Sequence, residues 1–477
     1  MSPKPIVISG SGLSALLIAR MVGAVLRDRT PILVVEQNAE VGGQFLSFDY
    51  GPDGRFDHGM HIYYESSIPE VDTLFTGIFP EDYWHILEGN RKDIAGLFVN
   101  GRLQLDTPYV DLRAADPDFR RRCIAEILLH VQDTLAGKTH PGRTAYDAMR
   151  RQFGEFIADR VFVPVFEKLY RHHPRQLDEL ATHLTAVNRL ALFDEAMTLE
   201  LMRSEPLRAR ICYPDQLTMP PFRTSGQRGF YPRKYGMFRV IERLREILER
   251  DGTRFLTSSS VSAVKRKGGK VTGVTIRFAD GMATEVEVDR LFWTAGLPGL
   301  AKLLGIDLAD LTYDRNNKDI HYVNFLWPER PAMGELYYFY CFEPGCRAFR
   351  VTSYANYCPG AAEGRGHPLC AELWTEPGDP TDAAGIVELA RRELVRFGVV
   401  PEGARPRFAR AEKVTDGGFP LPSVNNVRFL ESTTDRIRAA DLDNLEIFGV
   451  YSSRNTFFIK DILTDAHRKL TQGKRTS

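Results

Sequence analysis

Along the first residues, apolar positions come in two short blocks separated by a longer one. Ile6-Val7-Ile8 is a compact apolar run. A glycine turn follows, Gly10-Ser11-Gly12-Leu13-Ser14-Ala15, and then an apolar stretch of helical character from Leu16 to Leu26. A second compact run, Ile32-Leu33-Val34-Val35, ends at an acid, Glu36. The pattern predicts strand, tight turn, helix, strand, acid, the order of a dinucleotide-binding βαβ unit. Gly10 permits the turn, Gly12 lets a pyrophosphate approach the backbone, and Ala15 lets the helix sit close to the strand. The helix N-terminus offers free N–H groups and a positive dipole end. Glu36 is placed to accept hydrogen bonds from ribose hydroxyls and to repel a 2′-phosphate.

The pattern then changes. From about residue 85 to 225 helical periodicity dominates, with few strand signals. Phe119 to Leu135 carries apolar residues at helical spacing after Asp116-Pro117, a helix start. Ala145 to Leu169 continues in kind with a break near Pro164, and Leu177 to Met202 is a third long helical pattern after Pro174. A helix over Phe238 to Glu249 leads into a β-rich stretch: Arg254-Phe255-Leu256, Val261 to Val264, Val271 to Phe278, Thr284 to Val288 and Leu291 to Gly296. Ala279-Asp280-Gly281 reads as a hairpin turn, so this part is antiparallel. Alternation returns at His321 to Trp327, Glu335 to Phe342, Arg347 to Tyr357 and Leu369 to Trp374, an antiparallel sheet rich in Tyr and Phe. Ala383 to Phe397 reads as an amphipathic helix. Asn444 to Leu463 reads as strand, glycine turn, helix.

Composition narrows the class. The 477 residues allow several domains, and 62 Lys+Arg balance 62 Asp+Glu. No basic stripe points to nucleic acid; Arg120-Arg121-Arg122 reads as a solvated helix face. The six cysteines form no C-x-x-C pair, so free thiols are expected and no metal site is assigned, Cys341 and Cys346 included. No run is long enough for a membrane span. A cytoplasmic protein is expected, with a small-molecule substrate and an open oligomeric state.

Further motifs extend the ligand site. Gly42-Gly43-Gln44 follows the ribose acid and brings backbone close to a ligand a second time. Phe56-Asp57-His58-Gly59-Met60-His61-Ile62-Tyr63-Tyr64 is expected as an alternating strand with His61 and Tyr63 on one side. With the glycine turn, the acid, the glycine pair and this Gly-x-His stretch, the chain resembles the glutathione-reductase-type FAD-binding flavoproteins. Within them it is similar to the branch of amine oxidases, protoporphyrinogen oxidases, carotenoid desaturases and UDP-galactopyranose mutases.

The resemblance implies an α/β fold. A Rossmann-like FAD-binding domain is assembled from three chain segments (1–84, 226–300 and 405–477). A helical substrate or cap domain (85–225) and a substrate-domain β-sheet (301–404), mixed or antiparallel, complete it. It implies non-covalent FAD held by Gly10, Gly12, Leu13, Ser14, Ala15, Glu36, Gln37, Gly42, Gly43, Gln44, Gly59, Met60 and His61. Val261, Gly296, Gly449, Phe458 and Ile459 add later contacts, the last helix pointing its N-terminus at the flavin. His61 and Arg350 are the candidate catalytic residues. Tyr63, Arg350, Tyr354 and Arg454 are candidate substrate contacts, with Asn356 a further polar group beside them. Lys168 and Arg189 match helix positions of the branch but read as surface ion pairs. The chain departs from the mutases where Tyr451 replaces an arginine and Asn455, Phe457 and Phe458 replace tyrosines. An oxidoreductase taking hydride from a C–H bond is expected, with a flavin-dependent isomerase as the alternative and a non-catalytic dinucleotide binder behind both.

Overall fold

β-Branched and leucine-rich runs form the first sheet because both of its faces are covered, which leaves no room for polar alternation. In the computed structural model the described residues are 3–25, 29–138, 141–183, 187–315, 319–364, 366–414, 421–450, 452–454 and 456–472. They fall into two compact units: 1–86, 227–313 and 427–477, and 87–226 with 314–426.

The first unit is built on a five-stranded sheet in the order Arg254–Leu256, Ile32–Val35, Ile6–Ser9, Arg290–Trp293, Leu445–Ile447. All neighbours run parallel, with Ile6 opposite both Ile32 and Arg290. Ile6, Val7, Ile8 and Val34 are fully buried. The helix Leu13–Ala24 crosses from the first strand to the second, burying Leu16, Leu17 and Ile18. A separate antiparallel sheet, Ser259–Lys267, Lys270–Phe278 and Ala283–Glu287, turns at Gly281 (φ 87°), as the Ala-Asp-Gly signal predicts.

The second unit joins the helical stretch and the later sheet in one body. Its seven-stranded sheet runs Phe408–Val414, Ile320–Trp327, His367–Trp374, Ala348–Ser353, Tyr338–Cys341, Ala95–Val99, Arg102–Gln104. Only Tyr338–Cys341 with Ala95–Val99 pairs in parallel. The strands at 95–104 sit inside the stretch expected to be helical. Their turn, Asn100-Gly101 with φ of 53° and 69°, is a hairpin signal too short to register against long helical periodicity on either side. The strand Phe408–Val414 completes this sheet, so residues 405–426 belong with the second unit and not with the first.

Helix starts agree with the sequence where side-chain caps mark them. Asp116 caps Pro117–Leu135 by accepting from the N–H groups of Asp118 and Phe119, both at 3.0 Å. Thr144 and Asp147 form a reciprocal capping box for Ala145–Phe153. The expected long helix to Leu169 is broken at Gly154 (φ 96°) and by a π-turn over Ala158–Phe162, just ahead of Pro164. The expected helix over 177–202 is not formed as one element. The described part is a 3₁₀ turn Glu179–His183, a short strand Leu190–Ala191 and a helix Glu195–Leu201. Leu177, Ala181, Val187, Leu190 and Leu192 are buried nonetheless in the helical core. Their apolar spacing reflects that core and not a helix face.

Candidate functional site

The glycine turn of the βαβ unit and the Gly42-Gly43 pair are shaped by backbone geometry that favours glycine at two points. Gly10 has φ 102°, and a Cβ there would collide with Thr294 Oγ1, which donates to Ser9 O at 2.7 Å. Gly12 differs: its φ is −61°, and a Cβ built on it meets nothing within 4 Å. No group of the described residues occupies that space. Gly43 (φ 58°) packs its backbone against Gly12, where a Cβ would lie 3.3 Å from Gly12 Cα, and Gly12 bridges Gly42. The two glycine segments, distant in sequence, thus lie side by side.

The first turn of the Leu13–Ala24 helix has no side-chain cap and no acidic residue. Pro117–Leu135 and Ala145–Phe153 are capped by Asp116 and Thr144, and at the likewise uncapped Phe238–Arg250 helix the Met237 N–H is taken by the Asp57 carboxylate. Uncapped N–H groups of Leu13, Ser14 and Ala15 and the positive end of the helix dipole suit a phosphate. Glu36 is 7% exposed. Its Oε2 accepts from Ser11 N (3.0 Å) and Ser11 Oγ (2.6 Å), and Oε1 accepts from Asn38 N (2.9 Å). A carboxylate has about four acceptor sites, so capacity for a ribose hydroxyl remains. Gln37 and Gln44 are exposed, and Gly59 has φ 79°. The residues present therefore fit an adenine dinucleotide.

The Gly-x-His stretch is not a strand throughout. Strand structure covers Arg55–Asp57 and Tyr63–Tyr64, with a turn between closed by Gly59 N donating to Asp57 O at 2.8 Å. Positive φ at Gly59 breaks the alternation, so His61 and Tyr63 are not strand neighbours. The His61 and Phe45 rings lie 4.5 Å apart, while Met60 is half-buried. His58 packs on Phe48 at 4.1 Å, and burial pulls its pKa down to about 4, so its imidazole is neutral at pH 7. Tyr63 is a core residue. Its hydroxyl donates to Asp72 (3.0 Å) and its ring stacks on Phe75 at 4.0 Å, which removes it from substrate contact.

Asp57, unmarked by sequence reasoning, is the fully buried hub of this unit. It accepts from Tyr231 Oη (2.6 Å) and from Met237 N (3.1 Å), at the start of the Phe238–Arg250 helix. Burial raises its pKa from 3.8 to about 6, despite those hydrogen bonds and the charges of Arg55 and Arg239. The folded state therefore holds this proton more tightly than the unfolded chain. Its contribution to stability grows as pH falls from above about 6 toward 3.8 and is lost as pH rises through about 6. In Asp57→Asn that increment is expected to vanish. Urea melts of both proteins between pH 4 and 7 test it by difference, which cancels the opposing slope from His58. Identical profile shapes would refute the assignment.

The remaining expected cofactor contacts are placed as follows. Val261 is ladder-paired with Ile276, just before a bulge. Gly296 (φ 88°) precedes the helix Leu297–Leu303 and accepts from Trp293 Nε1 at 2.7 Å. Gly449 has φ 110° and follows the strand Leu445–Ile447. At the last helix, Ile459–Gln472, the Phe458 N–H already donates to Asp461 at 3.1 Å. An acid in the first turn offsets the dipole, so this N-terminus is not an open anion site of the kind expected. Arg454 is paired with Glu431 at 3.1 Å. Tyr451 and Asn455 lie outside the described residues.

In the second unit Arg350 is committed to Glu372 by two hydrogen bonds, Nε to Oε1 at 2.6 Å and the terminal nitrogen to Oε2 at 2.8 Å. Burial would lower the guanidinium pKa, but the Glu372 carboxylate and Tyr340 raise it well above its ordinary value. Its charge is thus already partnered. Tyr354 is fully buried with its hydroxyl at the Cys370 thiol. Asn356 ties its loop by donating to Leu336 O at 2.7 Å. Lys168 is not a surface residue: it is 2% exposed and donates to Cys346 O, and burial lowers its pKa. Arg189 hydrogen-bonds Tyr109. Sequence reasoning missed Glu372, Tyr322, Tyr340 and Thr352. The only signal was polar residues at alternating positions in apolar strands.

A model of the NAD(P)-binding Rossmann-like domain family matches residues 8–76. No curated protein matches the chain by sequence. A solved reduced UDP-galactopyranose mutase is similar over 100% of this chain and 95% of its own, with 16% identity and a TM-score of 0.74. An Exiguobacterium sp. 255-15 protein assigned as a protoporphyrinogen oxidase is similar over 100% of both chains, with 16% identity and a TM-score of 0.68. A putrescine oxidase redesigned in its cofactor binding is similar over 99% of both chains, with 14% identity and a TM-score of 0.60. No helix among the described residues is long and apolar enough to cross a membrane. Residues 8–76 are thus similar to the NAD(P)-binding Rossmann-like domain family, and the chain as a whole shares its fold with these solved structures.

Proposed function

We propose that the protein is an FAD-dependent oxidoreductase that removes a hydride from a C–H bond of a small, polar substrate, by amine, alcohol or alkane oxidation. The carrying observation is the open, acid-free first turn of the Leu13–Ala24 helix beside Gly12 and Glu36. Full-length similarity to oxidases supports the reading. Bound FAD supplies hydride acceptance, which no side chain provides. The chain's own part is to bind and orient. Leu13, Ser14 and Ala15 offer N–H groups to the phosphates, Glu36 accepts from the ribose, and Gly42-Gly43 keeps the backbone close. His61, held by Phe45, is the candidate hydrogen-bonding group or base. Neutral His58 adds no charge beside it.

A flavin-dependent isomerase is the second reading, favoured by the 0.74 TM-score with the mutase. Anaerobic mixing with candidate amines, alcohols and saturated substrates separates the two. Bleaching of the flavin band near about 450 nm is expected for the oxidoreductase. Turnover that appears only after dithionite reduction, without bleaching, would replace it with the isomerase. A purified chain without any flavin would remove both.

A further inference from the structure

The seven-stranded sheet of the second unit has one apolar face and one polar one. Phe339 and Phe98 turn toward Phe397 at the end of the Ala383–Arg396 helix on the apolar side. On the other face Tyr322, Glu372, Arg350 and Tyr340 stand opposite one another on four adjacent strands. Across those four strands the charged residues on this face are Arg350 and Glu372, and they neutralise each other. Arg350 keeps 22% of its side chain exposed, so solvent reaches the row.

Two polar groups on the same face have no hydrogen-bond partner among the described residues. Thr352 Oγ1, on a fully buried side chain, lies two residues beyond Arg350. Trp374 Nε1, on a side chain 6% exposed, lies two residues beyond Glu372 in the opposite sense. Buried hydroxyl and indole N–H groups are normally satisfied. These two bracket a compensated ion pair, and the charges next to Trp374 are themselves paired: Arg347, whose carbonyl accepts from the Trp374 backbone N–H, pairs with Glu376 and Asp379.

We infer that this face binds an uncharged ligand bearing hydroxyl or carbonyl oxygens, with Thr352 and Trp374 as its specificity-determining hydrogen-bonding groups. A Trp N–H requires an acceptor, and a Thr hydroxyl both donates and accepts. A carboxylate or ammonium ligand would find no free countercharge there and would compete with the Arg350–Glu372 pair. The inference deepens the proposed function, on which its role as substrate recognition rests, by naming the substrate as neutral.

The test uses the full chain as purified. Melting temperature is followed with polyols and aldoses, and with aldonates and amino sugars of the same carbon skeletons. The expected result is stabilisation by neutral members, with the charged counterparts at least about tenfold weaker. Thr352→Val keeps side-chain volume and Trp374→Phe keeps an aromatic ring while removing the N–H, and each is expected to weaken the neutral ligand about tenfold or more. Thr352→Val should leave the ligand-free melting temperature close to the parent's, and the ligand-induced shift of each variant is read against its own ligand-free value. Stabilisation by charged members as strong as by neutral ones, no stabilisation by any neutral member, or unchanged binding in both variants would overturn it. The flavin spectrum of the same samples separates the two ideas. Normal flavin with failed neutral binding sinks the ligand class alone, and neutral binding without flavin sinks the flavoenzyme reading alone.

Discussion

Gly12→Val is expected to leave a folded protein that has lost its dinucleotide, whereas Gly10→Ala is expected to fail at folding. The two glycines are two residues apart and both belong to the same motif, but they meet different surroundings. At Gly12 the backbone is in a region open to any residue (φ −61°), and a Cβ contacts no atom of the described residues within 4 Å. The added side chain therefore costs the fold little and fills the space that a phosphate needs beside the helix N-terminus. Charge-assisted hydrogen bonds contribute about 1.5–3 kcal/mol each. Loss of two costs about 3–6 kcal/mol and puts dinucleotide affinity down by more than roughly 100-fold. At Gly10 φ is 102°, and a Cβ overlaps Thr294 Oγ1. Backbone strain of about 1–3 kcal/mol adds to overpacking of about 1–3 kcal/mol. Flavin content after desalting and apo-protein melting temperature distinguish the outcomes. A Gly12→Val protein with full flavin content would remove the assignment of this turn to the phosphates.

Breaking the Arg350–Glu372 pair from one side is expected to be costly, and removing both charges much less so. Glu372 is 2% exposed, so Arg350→Ala leaves a buried carboxylate without its cation. Destabilisation of about 3–5 kcal/mol is expected for that substitution. In Arg350→Met/Glu372→Leu the volume is kept and no charge is stranded, and most of the loss is expected to return. Denaturant melts of the two single variants and the double variant give the coupling directly. Additive losses would mean that the pair is not coupled, and Arg350 would regain standing as a free cation for substrate. This pair moves Arg350 from the catalytic role that its alternating, Tyr-rich strand suggests to one of support.

The βαβ unit was legible because its determinants are contiguous. Strand, turn, helix and acid lie within Ile6 to Glu36, and each step is set by local backbone demands. Helix starts with Asp116 and Thr144 caps were legible for the same reason. The 177–202 stretch was not, since its apolar residues answer to a core built from several elements, and a helical period arises there by coincidence. Tyr63 was misassigned because its hydroxyl partner, Asp72, belongs to the following helix, Pro69–Thr76. The last helix carried a readable Asp461, but whether that acid caps its own helix or faces a ligand depends on a rotamer that no spacing fixes.

What the sequence alone determined is therefore the βαβ unit with its glycine turn: Gly10, Gly12 and Glu36 take the places in it that their local spacing predicts. Tertiary structure decided the rest. It set Gly43 against Gly12, buried Asp57 under Tyr231 and Met237, and matched Arg350 to Glu372 across two strands. It also left Thr352 and Trp374 with unmet hydrogen bonds. A hydrogen bond or an ion pair depends on where two side chains end in space, and strand register, not residue spacing, brings those ends together.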